Sequence, residues 1–155
     1  MRLHLLAIGQ KMPHWVTEGY AEYQKRMPHE CPLQLKEIPA AKRSKQASVQ
    51  QWQDEEAERL LLAIPPQAYV VALDQGGKSW STEALADQVK HWMTLGQDVA
   101  LLVGGPDGLS DACRQRADQI WSLSALTLPH PLVRVVLAEQ LYRAMMVIKN
   151  HPYHK

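Results

Sequence analysis

Residues 150–155, Asn150-His151-Pro152-Tyr153-His154-Lys155, hold two imidazoles, a phenol and an ammonium group in one short run. Such a set can accept and return protons near neutral pH and can hold an anion. Chain ends are also where packing is weakest, so the same residues read equally as a frayed terminus. A second candidate is Gly104-Gly105-Pro106-Asp107-Gly108-Leu109-Ser110. A glycine-rich turn leading into a helix suits a phosphate-like group, because the free N–H groups of the first helical turn point at it. Its spacing matches neither the dinucleotide G-x-G-x-x-G nor the G-x-x-x-x-G-K-[ST] loop, and its glycines also serve an ordinary tight turn. A third is the small, apolar Leu123-Ser124-Ala125-Leu126-Thr127-Leu128, closed by Pro129-His130-Pro131. With few ionisable side chains it can read a purine-like ring through backbone N–H and C=O groups, or simply join a strand to a helix. The scattered His4, His14, His29 and His91 have no metal spacing with carboxylate or thiol support, and no metal site is expected.

These segments, with a fourth at Leu73-Asp74-Gln75-Gly76-Gly77-Lys78, each follow a strand candidate. Strands are expected at 3–8, 33–38, 69–73, 99–103 and about 119–123. The runs Tyr69-Val70-Val71-Ala72-Leu73 and Val99-Ala100-Leu101-Leu102-Val103 are continuously apolar, as strands covered on both faces of a parallel sheet must be. Between them lie amphipathic helices, marked by Val16, Tyr20, Tyr23 and Met27, then by Val49, Trp52, Glu56, Leu60 and Ile64, stopped by Pro65-Pro66. A third carries Leu85, Val89, Trp92 and Met93, with Ser81 as its N-cap and Gly96 near its end. A short helix follows Ser110. The alternation predicts a single α/β domain over residues 1–155, a mainly parallel sheet flanked by helices, with ligand loops at the carboxyl ends of its strands. The last helix, from Pro131 to about Asn150, is apolar around most of its circumference. One stripe suffices for a surface helix, so this one either sits centrally in the fold or forms a subunit interface, and the interface is the favoured reading.

Composition narrows the class without naming it. The apolar share of 46% and charged share of 21% are those of an ordinary globular domain. No stretch long enough to cross a bilayer is free of charge or proline, and the apolar N-terminus is broken too early at Gly9 for a signal-peptide core. The isolated Cys31 and Cys113 fit reduced thiols in the cytoplasm. A net charge of +1 argues against holding nucleic acid by charge alone, although Arg134, Arg143, Lys149 and Lys155 face only Glu139 within residues 131–155. Lys42-Arg43-Ser44-Lys45 is balanced by Asp54-Glu55-Glu56 and Glu58.

Taken together, Gly104-Gly105-Pro106-x-Gly108-Leu109-Ser110, the run from Trp121 through Pro129-His130-Pro131-Leu132-Val133-Arg134, and the terminal Asn150-His151-Pro152-Tyr153-His154 resemble the RlmH (YbeA) family. The likeness extends to residues 3–13 and to Ile38-Pro39-Ala40-x-Lys42-Arg43, so it covers essentially the whole chain. That family belongs to the SPOUT class and methylates N3 of pseudouridine 1915 in 23S ribosomal RNA. The resemblance implies a C-terminal trefoil knot, a homodimer, S-adenosylmethionine in the knot loops, and action on 23S rRNA within the assembled 70S ribosome. It would place the cofactor against Leu73, Gly104, Gly105, Leu123, Ser124, Ala125, Leu126, Thr127 and Leu128, which are the loops already singled out. Because the target N3 must lose a proton, the tail becomes the candidate catalytic segment, with Tyr153 and His154 near the target and Arg134, His151 and Lys155 holding RNA. A relative acting on tRNA and a non-catalytic RNA-binding dimer remain open on the same residues.

Overall fold

The computed structural model describes residues 1–154. Strands and helices alternate as β1 (Leu3–Ile8), α1 (His14–Gln24), β2 (Leu33–Ile38), α2 (Val49–Ala63), β3 (Tyr69–Ser79), α3 (Thr82–Thr94), β4 (Val99–Val103), α4 (Asp111–Arg116), β5 (Gln119–Ser122) and α5 (His130–Ile148), then a 3-10 turn over Pro152–His154. All strand pairs are parallel, in the order β2-β1-β4-β3-β5. Side chains alternate across the sheet, so each strand feeds two apolar layers. Leu3, Leu5 and Ala7 of β1 and Leu101 of β4 pack with α1, α3 and α5. Leu6, Ile8, Ala100 and Leu102 pack on the other side with α2 and α4. Cys31 lies in the first layer and Cys113 in the second, so they cannot pair across the sheet. Burial pushes the Cys31 thiol up to about 11, leaving it protonated and unreactive at neutral pH. No helix among the described residues is long and apolar enough to cross a membrane.

Helix starts follow local chemistry. Ser48 accepts from the Gln51 N–H at 3.2 Å while the Gln51 side chain accepts from the Ser48 N–H at 2.8 Å, a reciprocal cap on α2. Ser81 caps α3 as expected, accepting from the Ala84 N–H at 3.0 Å. Other expectations need correction. β3 does not stop at Leu73. Leu73 and Lys78 both pair opposite Trp121, so residues 74–77 bulge out and the strand resumes to Ser79. The excursion passes so close to β5 that a Cβ on Gly77 would stand 2.6 Å from the Ile120 carbonyl carbon. α1 ends at Gln24, so Met27 is buried from the following loop, and Val49 and Met93 point outward rather than into the core.

α5 is the central helix of its layer, packed against both α1 and α3. A Cβ on Gly19 of α1 would lie 3.2 Å from Val135, a measure of how closely the two helices approach. Leu137, Ala138, Leu141, Ala144 and Met145 are fully or almost fully buried within the chain. The apolar circumference is thus mostly satisfied internally, and the pattern by itself no longer requires a partner subunit. Leu132, Val133, Val135 and Val136 stay half-buried at the first two turns.

Arg134, expected from the sequence to hold RNA, is buried inside the chain. Only 2% of it is exposed. Its guanidinium donates to the Gly9 and Ile8 carbonyls at 2.8 and 3.4 Å and pairs with Glu37 at 2.7 Å, tying α5 to the ends of β1 and β2. A cation enclosed this way is an internal strut between α5 and the sheet, with only its Nε left without a hydrogen-bond partner.

Candidate active site

β3, β4 and β5 end near one another, and beyond their carboxyl ends the chain encloses a cavity of about 340 Å³, of the size and position at which open parallel sheets take small ligands. Leu73 and the bulge residues Asp74 and Gln75 form one wall. Residues 103–108 form the second, and Leu123, Ser124, Leu126, Thr127 and Leu128 the third, with His130 and Val133 of α5 closing it. Every residue assigned to the cofactor from the sequence lines this cavity except Ala125, which is exposed beside it.

Each wall has a local reason for its shape. Gly108 sits at φ +77° and its N–H donates to the Gly105 carbonyl at 3.0 Å, turning the chain tightly into α4. A Cβ on Gly104 would meet the Gly108 carbonyl carbon at 2.6 Å, so only glycine fits there. Asp74 accepts from the Gly76 N–H at 2.9 Å, which shapes the bulge. Gln75 donates to the Thr127 hydroxyl at 2.8 Å, joining the first wall to the third. Ser124 accepts from the Leu126 N–H at 2.9 Å and leaves the Leu126 side chain 74% exposed over the opening.

The carboxylates that line the cavity, Asp74 and Asp107, each have an arginine behind them. Arg114 stands 3.5 Å from Asp74, and Arg43 stands 2.5 Å from Asp107. Burial, with Arg134 and Arg43 nearby, holds His130 below the usual imidazole range, so its ring is neutral at physiological pH. Sequence reading placed Asp74, Asp107 and His130 inside the right loops without selecting them, because nothing local to each residue says which way its side chain turns. No group of three or more His, Cys, Asp or Glu arranged to hold a metal ion occurs among the described residues.

The tail lies elsewhere. Lys149, just past α5, pairs with Glu30 at 2.5 Å, and the Met1 amino group donates to the Glu30 carbonyl, so the tail sits at the amino edge of the sheet. Tyr153 donates to Glu139 at 2.8 Å and packs edge-on against Tyr142 with ring centroids 4.6 Å apart. The Arg143 guanidinium lies 5.0 Å from the Tyr153 ring centroid. Burial and the adjacent Glu139 push the Tyr153 phenol well above its ordinary range. His154 is half-buried, with an Nδ1 that has no partner, and His151 is exposed. Lys155 lies outside the described residues.

A parallel sheet in this strand order with a loop-built cavity at its carboxyl edge is an arrangement shared with known enzymes. The family described as "Predicted SPOUT methyltransferase" matches residues 1–154, and the chain belongs to that family and is a methyltransferase. Within it, the chain is 59% identical over its whole length to Ribosomal RNA large subunit methyltransferase H of Hahella chejuensis, covering 99% of that protein. It is 55% identical to the protein of the same name from Methylococcus capsulatus, with both chains covered completely. A probable methyltransferase of Bordetella pertussis has the same fold at a TM-score of 0.59, with 17% identity over 93% of this chain and 96% of that one.

Proposed function

We propose that this chain, as one SPOUT domain with its C-terminal part tied in a trefoil knot, methylates N3 of pseudouridine 1915 of 23S rRNA in assembled 70S ribosomes. In this reading it works in the cytoplasm, as a homodimer, with S-adenosylmethionine as methyl donor. The curated relatives' shared name supports the ribosomal RNA substrate. The cavity fits the donor: it has the volume for a nucleoside, and its lining carries two carboxylates but no lysine or arginine, which suits a sulfonium and an ammonium on one ligand. When bound, S-adenosylmethionine supplies an activated methyl group, and binding, orientation and proton handling fall to the protein.

Leu73, Leu128 and Val133 give the lining apolar side chains against which the donor is desolvated on binding. Backbone groups of residues 104–108 and 123–128 read the purine. The observation that carries the homodimer is the separation of tail and cavity. α5 has 19 residues and spans roughly 28 Å at its rise per residue, with the cavity at its start and the tail at its end. Among the described residues, no tail residue lines its own chain's cavity. A two-fold axis that runs two α5 helices antiparallel brings the tail of each copy to the cavity of the other. At that shared site Tyr153, held protonated against Glu139, anchors the tail, and His154 takes the N3 proton. His151 and Lys155 then hold RNA.

The test is methyl transfer from labelled S-adenosylmethionine to 70S ribosomes, free subunits and tRNA side by side. Label in 23S rRNA of 70S particles alone is expected; label in tRNA, or none in any sample, overturns the assignment. For the cavity, Gly104→Ala forces the turn at Gly108 to move and is expected to weaken S-adenosylmethionine binding at least about tenfold. Calorimetry checks the affinity, and an unchanged circular dichroism spectrum shows that the fold is kept.

A further inference from the structure

The glycine-rich loop is gripped from outside the cavity by a residue far from it in sequence. Arg43 lies in the irregular segment between β2 and α2. Its guanidinium bridges two carboxylates, Asp107 of the loop at 2.5 Å and Glu56 of α2 at 3.5 Å, and stands 4.9 Å from the Trp52 ring centroid. Glu56 is 3% exposed and also accepts from the Ala41 N–H at 3.0 Å. It sits directly behind the loop, 3.6 Å from where a Gly105 Cβ would be. From α2, Gln53 donates to the Asp107 carbonyl at 2.5 Å. α2 therefore holds the backbone of Asp107, and Arg43 holds its side chain.

We infer that Arg43 is a positioning residue for cofactor binding: its ion pair holds the Asp107 carboxylate in place at the cavity and fixes residues 104–108 in the shape that admits S-adenosylmethionine. The inference rests on the proposed donor. Without Arg43, Asp107 has no side-chain counter-ion among the described residues, and its remaining side-chain tether is the Gln53 bond to its carbonyl. Lysine cannot replace it, since one ammonium cannot bridge both carboxylates in a planar fork while stacking on Trp52.

The experiment compares wild type, Arg43→Met, Arg43→Lys, Asp107→Asn and the Arg43→Met/Asp107→Asn double variant. Each is titrated with S-adenosylmethionine and melted without ligand. Arg43→Met is expected to weaken binding about tenfold and Arg43→Lys to recover only part of that loss. The double variant is expected to bind no worse than the weaker single one, because both changes cut the same link. The ligand-free melting temperature should stay within a few degrees of wild type, separating positioning from general stability. Wild-type binding with Arg43→Met within twofold of it, tighter binding by that variant, or additive losses in the double variant each overturn the role of Arg43. Failure of the wild-type chain to bind S-adenosylmethionine would instead remove the proposed donor.

Discussion

Two inactive variants are expected to restore activity when combined. Gly104→Val drives a branched side chain into the Gly108 backbone and closes the cavity while leaving the tail intact. Truncation after Asn150 removes the tail and leaves the cavity intact. Neither homodimer should methylate ribosomes. In a co-expressed equimolar mixture half the dimers are mixed, and each mixed dimer has one intact cavity facing one intact tail. Roughly a quarter of wild-type activity should therefore return. The truncated protein alone should still bind S-adenosylmethionine, because nothing in residues 151–154 lines the cavity. Mixed dimers isolated by two affinity tags and found inactive would falsify the shared site, as would activity in the truncated homodimer.

The elements that position the cavity were legible because their signals are local. β4 reads as a buried strand since all five of its residues are apolar, and all five are buried. Ser81 reads as a cap since its hydroxyl needs only an N–H three residues on. Once a parallel sheet is inferred, topology alone sends the loops after Leu73, Val103 and Ser122 to one edge, which is why they meet at the cavity. What stayed hidden depends on distant pairing. The sequence Asp74-Gln75-Gly76-Gly77 looks like a loop, and its resumption as strand rests on how closely Gly77 approaches Ile120. Arg43 reads as part of a solvated basic run until the fold sets it between Asp107 and Glu56. The apolar girth of α5 has two explanations that no pattern separates, a central position or a subunit interface. The structure supplies the first, and only the opposition of tail and cavity argues for the second. Tyr153 illustrates the same limit: a phenol near a chain end suggests catalysis, and its packing on Tyr142 and bond to Glu139 are partners that no local pattern announces.

Arg134→Met is expected to destabilise the protein far more than its conservative volume suggests. The change removes one member of an enclosed set while leaving the others in place. The Gly9 carbonyl loses its 2.8 Å donor, the Ile8 carbonyl its weaker one, and Glu37 its ion-pair partner. Replacing a buried pair as a unit can be neutral, but removing one partner strands the other, at a cost of about 3 kcal/mol. Glu37 softens the loss because its side chain is 38% exposed and can turn to water, whereas the two backbone acceptors have no such freedom. Gly9 adds to the constraint. It sits at φ +113° with the Arg134 guanidinium 3.6 Å from where a Cβ would be, so the turn after β1 is built around the arginine. Urea denaturation of Arg134→Met against wild type measures the loss. Glu37→Gln, expected to cost about 1 kcal/mol or less, separates the ion pair from the carbonyl contacts. If Arg134→Met proved as stable as wild type while losing only affinity for RNA, Arg134 would be a phosphate contact after all, and the strut would not be what holds α5 to β1.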